Sequence, residues 1–146
     1  MSTSIRQRHT RKAVQSRPAG WQVSLVILEL VVGLGGIYGG VEMIRHPLNA
    51  FGVKAGLIAG SPFDTFTWPG ILLVVLVGVV PCTLALGLIA RWPGAVPLSG
   101  LFGIGLMAWI GVQWALLEDR LWLQPAMFII GAAIAVLAAR ALRRPS

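Results

Sequence analysis

The sequence is poor in the charged residues that keep a small protein soluble. Only 12% of its 146 residues are charged, whereas 56% are hydrophobic and the mean hydropathy is +0.80. A soluble domain of this length needs a larger polar share to cover its surface. The composition therefore excludes an ordinary soluble domain and indicates a membrane protein.

Cysteine and histidine are also scarce. The single cysteine, Cys82, lies in an apolar run, so the sequence has neither a disulfide framework nor a Cys/His metal cluster. His9 and His46 lie outside the apolar runs and leave no pair of intramembrane imidazoles to ligate haem. Nucleophile–base pairs, paired carboxylates on one helix face and phosphate-binding loops are not found. We therefore expect no enzyme activity, no metal site and no cofactor.

Four apolar runs account for most of the chain. Each is long enough to cross a hydrocarbon core of about 30 Å as a helix, and helices satisfy their own backbone groups in lipid. The predicted spans are 21–44, 69–90, 93–117 and 121–142, with a basic tail at 1–20, a loop at 45–68 and a basic tail at 143–146. The expected fold is an all-α, four-helix antiparallel transmembrane bundle.

The positive charges are divided unevenly between the two sides of such a bundle. Nine of the twelve Lys and Arg residues fall on the side of the two tails and Arg91, and three fall on the other side: Arg45, Lys54 and Arg120. The positive-inside rule places both termini in the cytoplasm. We expect a multi-pass protein of the cell inner (plasma) membrane whose tails bind lipid headgroups, with no nucleic-acid partner.

The loop at 45–68 is predicted to lie on the membrane surface. Its apolar residues have the spacing of a short amphipathic helix: Leu48, Phe51, Leu57 and Ile58. The stretch Ser61-Pro62-Phe63-Asp64 has a capping serine and a proline at the first helical position, which predicts a helical turn before the second span. Arg45, His46 and Asp64 form either a polar mouth or a solvated loop with a cap.

Glu29 is predicted to lie inside the apolar layer, eight residues or roughly 12 Å past Trp21. An ionised carboxylate there costs about 2.5–3.5 kcal/mol on insertion scales, so we expect it to face protein or water. At 100° per residue it shares a face with Gln22, Gly33, Gly36 and Gly40. Glycines let a second backbone approach closely, so this face is the predicted helix-packing seam.

Two more polar residues are expected near the depth of Glu29: Thr83 in the second span and Ser99 in the third. Pro81 should kink the second span and free the carbonyl of Val77. The resulting cluster is either a satisfied structural network or a protonatable site for a cation, a proton or a lipid.

A second polar set is expected near the other membrane face, where a short turn joins Gln113 to Gln124. An inter-helix hydrogen bond is predicted there. Gln124 lies on a small-residue packing face that includes Phe128, Gly131 and Ala135. Gln113 lies on a bulkier face that is exposed to lipid, lines a cavity or meets a partner; this face includes Phe102, Leu106 and Trp109.

The glycine-rich run 33–40, the stretch Ser61-Pro62-Phe63 and the tripeptide Trp68-Pro69-Gly70 resemble those of small bacterial four-helix membrane proteins of the DoxX-like kind. The resemblance covers most of residues 21–142. It implies an accessory or scaffold role, in which the protein packs against a membrane partner or against itself.

More distantly, four short helices with a glutamate in the first resemble the small multidrug resistance transporters. This resemblance implies that Glu29 is a site where proton and cation compete. The chain departs from those transporters in its basic tail, its 24-residue loop and the lack of a matching aromatic set. A proton-coupled small-molecule transporter is therefore the alternative to the accessory role.

Overall fold

A computed structural model of the chain describes residues 19–54, 62–116 and 122–144. Its long helices are α1 (Gly20–Arg45), α4 (Ala95–Leu116) and α5 (Leu123–Leu142), together with a composite second span. That span consists of α2 (Thr67–Leu72), a π-helical segment (Leu73–Val79) and α3 (Val80–Ile89). The prediction of four helices long and apolar enough to cross a membrane is confirmed.

The π-helical segment lies directly before Pro81. Its wider turn is shown by the hydrogen bond from the Val80 amide to the Val75 carbonyl, five residues back. Proline has no amide proton, and its ring collides with the carbonyl four residues earlier in an α-helix. A wider turn relieves that collision, because it moves the Val77 carbonyl aside. The distortion predicted at Pro81 therefore takes the form of a π-helical segment, whose turns hold about one residue more than those of an α-helix.

Glycine allows the first two spans to touch through their backbones. A Cβ atom added at Gly36 would lie 2.6 Å from the carbonyl carbon and oxygen of Val77. Gly40 lies in the same way against Gly70, and Gly33 lies against Cys82. Residue numbers therefore rise along one helix as they fall along the other.

The third and fourth spans form a second close pair. Gly103 faces the carbonyl of Gly131, where an added Cβ would lie 2.6 Å from that oxygen. Gly100 faces Ala138, so these two helices also meet in reverse order of residue number. The predicted packing residue Gly131 thus lies at the backbone contact between α4 and α5.

The two pairs contact each other through α1 with α5 and through α3 with α4. Within the first pair, the Gln22 side chain donates a 2.6 Å hydrogen bond to the Leu88 carbonyl, at the end of the bundle that we call the terminal end. The opposite end, which carries the 46–66 connection, we call the loop end. Towards it, the second and third spans are separated by a cleft between Leu73, Leu76, Val77, Phe102, Leu106 and Trp109.

The described part of the loop differs from its prediction. Neither Leu48 nor Phe51 lies in an amphipathic helix: Leu48 lies in a turn, and Phe51 lies in the loop of a short hairpin that follows it. The hairpin consists of β1 (Asn49–Ala50) paired antiparallel with β2 (Val53–Lys54). Phe51 and Gly52 both have positive φ, +54° and +77°, as a two-residue hairpin turn requires. Leu57, Ile58 and Ser61 lie outside the described residues. The segment 62–66 is not helical, so the predicted turn before the second span is wrong there.

Candidate functional site

Glu29 is fully buried inside the bundle, with a relative exposure of 0%. Its position follows from α1, whose buried residues Leu25, Val32 and Gly33 lie on the same side of the helix. Leu25 and Val32 also belong to the main apolar core. The carboxyl group is therefore placed by a helix face whose other buried residues are apolar side chains and glycines.

The hydroxyl group of Ser99 is the polar neighbour of this carboxyl group. Ser99 is itself fully buried and donates a 2.8 Å hydrogen bond to the Ala95 carbonyl on its own helix. Among the described residues, neither carboxyl oxygen of Glu29 has a hydrogen-bond partner by geometry. The structure thus brings Glu29 and Ser99 together without closing a hydrogen-bonded network.

The other two expected members of the cluster lie elsewhere. Thr83 is exposed on α3, and its hydroxyl donates a 2.9 Å hydrogen bond to the Val79 carbonyl one turn earlier. The Val77 carbonyl lies against Gly36 rather than against Glu29. Depth alone was the basis for grouping Thr83 with Glu29, and depth does not determine which face a residue occupies.

Gln22 is a structural residue for which the sequence suggested no role. Its hydrogen bond to the Leu88 carbonyl ties the start of α1 to the end of α3. The available signal was its place on the same helical face as Glu29 and the glycines. A polar side chain on a packing face, near a helix end, indicates a bond to a carbonyl in the last turn of the neighbouring helix, where α-helical partners are lacking.

The glutamines near the loop end are not joined by a recorded hydrogen bond. Gln124 is buried, and its Oε1 has no hydrogen-bond partner within the described part of the chain. Gln113 is half-buried at the end of α4. The contact recorded at this end is apolar: the rings of Trp114 and Phe128 stack with centroids 5.5 Å apart.

The helix face that Gln113 was expected to share lies at the cleft between the second and third spans. Its apolar members line the cleft between the second and third spans: Phe102, Leu106 and Trp109. The cleft is open at its side, so this face both lines a cavity and is exposed at the rim, where Trp109 is 40% exposed. Gln113 lies one turn beyond the lining.

His46 and Asp64 are both exposed at the loop end. The Nε2 atom of His46 lies 3.6 Å from Oε1 of Glu42, one turn earlier on α1. No ion pair between His46 and Asp64 is found among the described residues. The His46 side chain is thus paired with its own helix, and its backbone amide donates a 2.9 Å hydrogen bond to the Glu42 carbonyl at the end of α1.

Few polar side chains are buried in the part of the chain that the structure describes. They are Glu29, Ser99 and Gln124. In residues 19–54, 62–116 and 122–144, no group of three His, Cys, Asp or Glu side chains is placed to hold a metal ion. Of the three buried polar side chains, the carboxyl group of Glu29 is the one that can gain or lose a proton.

Comparison with protein-family models, with curated proteins and with solved structures finds no match to this chain.

Proposed function

We propose that this chain is an accessory or scaffold protein of the cell inner (plasma) membrane that acts by packing a helix face against a membrane partner or a second copy. Its four spans form an antiparallel bundle with both termini in the cytoplasm. The orientation is supported by the nine-to-three division of positive charge.

The observation that carries the proposal is the poor coverage of the fourth span. Only 17% of an 18-residue apolar stretch of the fourth span is buried inside the bundle, compared with 39% of the corresponding stretch of the first span. Ile129 and Val136 are exposed on α5 two turns apart, with Ala132 and Ala133 between them. Large side chains that flank small ones suit helix–helix contact in lipid, because a partner backbone can approach the small residues.

Cross-linking within the membrane tests this proposal. A cysteine at Ile129, in a Cys82→Ala background, is expected to form dimers on oxidation if the partner is a second copy. A photo-reactive residue at Ile129 is expected to give one defined adduct if the partner is another protein.

Tyr38 provides a matched control, because it is 72% exposed against 67% for Ile129 and lies at a similar distance from the loop end of its helix. The same probes at Tyr38 are expected to react with lipid alone. Equal products at both positions, or none at Ile129, would contradict a docking face on the fourth span.

A proton-coupled transporter is the second candidate, and the observation that favours it is the buried, unbonded carboxyl group of Glu29. In proteoliposomes, such a transporter releases protons when substrate binds, and Glu29→Gln abolishes that release while leaving the fold intact. An accessory protein gives no substrate-dependent proton release in either form.

A further inference from the structure

The cleft between the second and third spans has a size and chemistry that indicate its occupant. It encloses about 270 Å³ and is lined by apolar side chains and Gly105. Leu76 and Trp109 on its walls are 51% and 40% exposed, so the cleft opens sideways from the bundle rather than being sealed within it.

The position of the cleft places it in hydrocarbon. On α4 its lining runs from Phe102 to Trp109, roughly 21 Å to 10 Å from the loop end at Leu116. Lipid headgroups and bulk water lie beyond that end. The cleft therefore opens onto the acyl chains of the bilayer.

Water does not suit this space. An ordered water molecule needs two to four polar partners, and the side chains that line the cleft offer at most one, the indole N–H of Trp109. An unfilled gap is also unfavourable in a fluid of hydrocarbon chains, since its walls lose dispersion contacts that a chain would supply.

A whole protein helix does not fit inside the cleft. The lining covers roughly 11 Å of α4, and a helix with a diameter of 10–12 Å occupies about 900 Å³ over that length. The entire empty space of the cleft is about 700 Å³, including the part that is open at the side. An extended hydrocarbon chain is narrower than a helix and fits this space.

We infer that the cleft binds one acyl chain of a phospholipid from the leaflet on the loop end. The chain lies between the π-helical segment and α4, where it completes the packing that these two elements do not make with each other. This site is separate from the docking face on α5 and does not depend on it.

Gly105 makes the inference testable without disturbing the fold. It lines the cleft, and a Cβ atom added there would meet no atom of the described residues within 4 Å. Gly105→Leu therefore fills the cleft from an open position. Gly111→Leu is the matched control, since Gly111 lies on the same helix, also has no atom within 4 Å of an added Cβ, and is not part of the lining.

The experiment uses the full chain reconstituted with phosphatidylcholine that carries bromine atoms on its acyl chains. Bromine quenches a nearby indole, and the difference between the full chain and Trp109→Phe isolates the quenching of Trp109. Native mass spectrometry in mild detergent counts the phospholipids that each chain retains.

The unaltered chain and Gly111→Leu are expected to retain one phospholipid and to show quenched Trp109. Gly105→Leu is expected to lose the lipid-bound species and most of the Trp109 quenching, with a higher melting temperature because its cavity is filled. Equal lipid retention and quenching in the two leucine variants would overturn the inference. So would oxidative cross-linking of two chains through Gly105→Cys, because a second copy would then occupy the cleft.

Discussion

The carbonyl group of Val77 lies directly over Gly36, so that the space of the missing Cβ is filled by backbone of the neighbouring helix. This contact depends on Pro81 in the second span and on Gly36 in the first. The π-helical turn before Pro81 displaces the Val77 carbonyl, and the space beside Gly36 accommodates that carbonyl. A side chain added at Gly36, or a shift of the Val77 carbonyl towards it, would therefore move the neighbouring helix.

We predict that Gly36→Ala lowers the free energy of unfolding by about 1–3 kcal/mol, because the added methyl group collides with backbone that cannot rotate away. Thermal unfolding in one detergent measures this effect.

The neighbouring variant Gly35→Ala is its control. An added Cβ at Gly35 meets only the end of Met127, at 3.8 Å, so the substitution should be neutral or gain up to about 1 kcal/mol of helix propensity. Equal melting temperatures for the two variants would show that the seam is not a close contact.

Glu29→Leu should raise the melting temperature. Leucine is not expected to leave a polar partner unpaired, because Ser99 already donates to the Ala95 carbonyl and the carboxyl oxygens have no hydrogen-bond partner by geometry among the described residues. Removing an unsatisfied buried carboxyl group is therefore expected to contribute about 1–3 kcal/mol. Glu29→Gln keeps an unpaired polar head and should change stability little. A lower melting temperature for Glu29→Leu alone would reveal a partner of the carboxyl group.

Gly33→Cys should form an intramolecular disulfide with the native Cys82 on oxidation, because the Cys82 sulfur occupies the space beside Gly33. The product is detected as a mass loss of two hydrogens and as faster migration on a non-reducing gel. Gly35→Cys, two positions along, should not form it. Disulfide formation at position 35 instead would mean that the register of the first two spans is wrong.

Orientation is tested by labelling from each side of the membrane. In a Cys82→Ala background, Lys54→Cys in the exposed hairpin should react with an impermeant reagent only from outside, and Arg144→Cys only from inside. Reaction of both from one side would refute the four-span arrangement. Inverted accessibility would refute the assignment of the cytoplasmic face.

The spans and the glycine face could be predicted because they depend on quantities that one helix sets by itself. Hydrophobic length indicates a crossing, and 100° per residue indicates which residues share a side. The placement of Glu29 with Gly33 and Gly36 on the buried side of α1 follows from that rule.

The position of Thr83 could not be predicted in this way. It lies beyond the π-helical segment, where each turn holds more residues and the angular count from the start of the span no longer applies. The same segment helps to form the cleft, whose existence depends on two helices failing to meet. A rule that considers one helix at a time has no means to predict such a gap.

The hairpin of β1 and β2 shows a second limit of prediction from the sequence. Leu48 and Phe51 have a spacing that suits a helix, yet Gly52 and the positive φ of Phe51 give a tight turn instead. Apolar spacing over a few residues is compatible with either structure. The turn is favoured by local pairing of Asn49 with Lys54 and by the hydrogen bond from the Phe66 amide to the Pro47 carbonyl.

The division of the bundle into two closely packed pairs has a consequence for its biosynthesis. Residues 20–89 complete the backbone contacts of the first pair, and residues 95–142 complete those of the second. Each seam joins two spans that are consecutive in the sequence, so it needs no residue of the other pair. The first helix pair is thus expected to assemble in the membrane while the second is still being translated. The packing of the two completed pairs against each other is then the last step of folding.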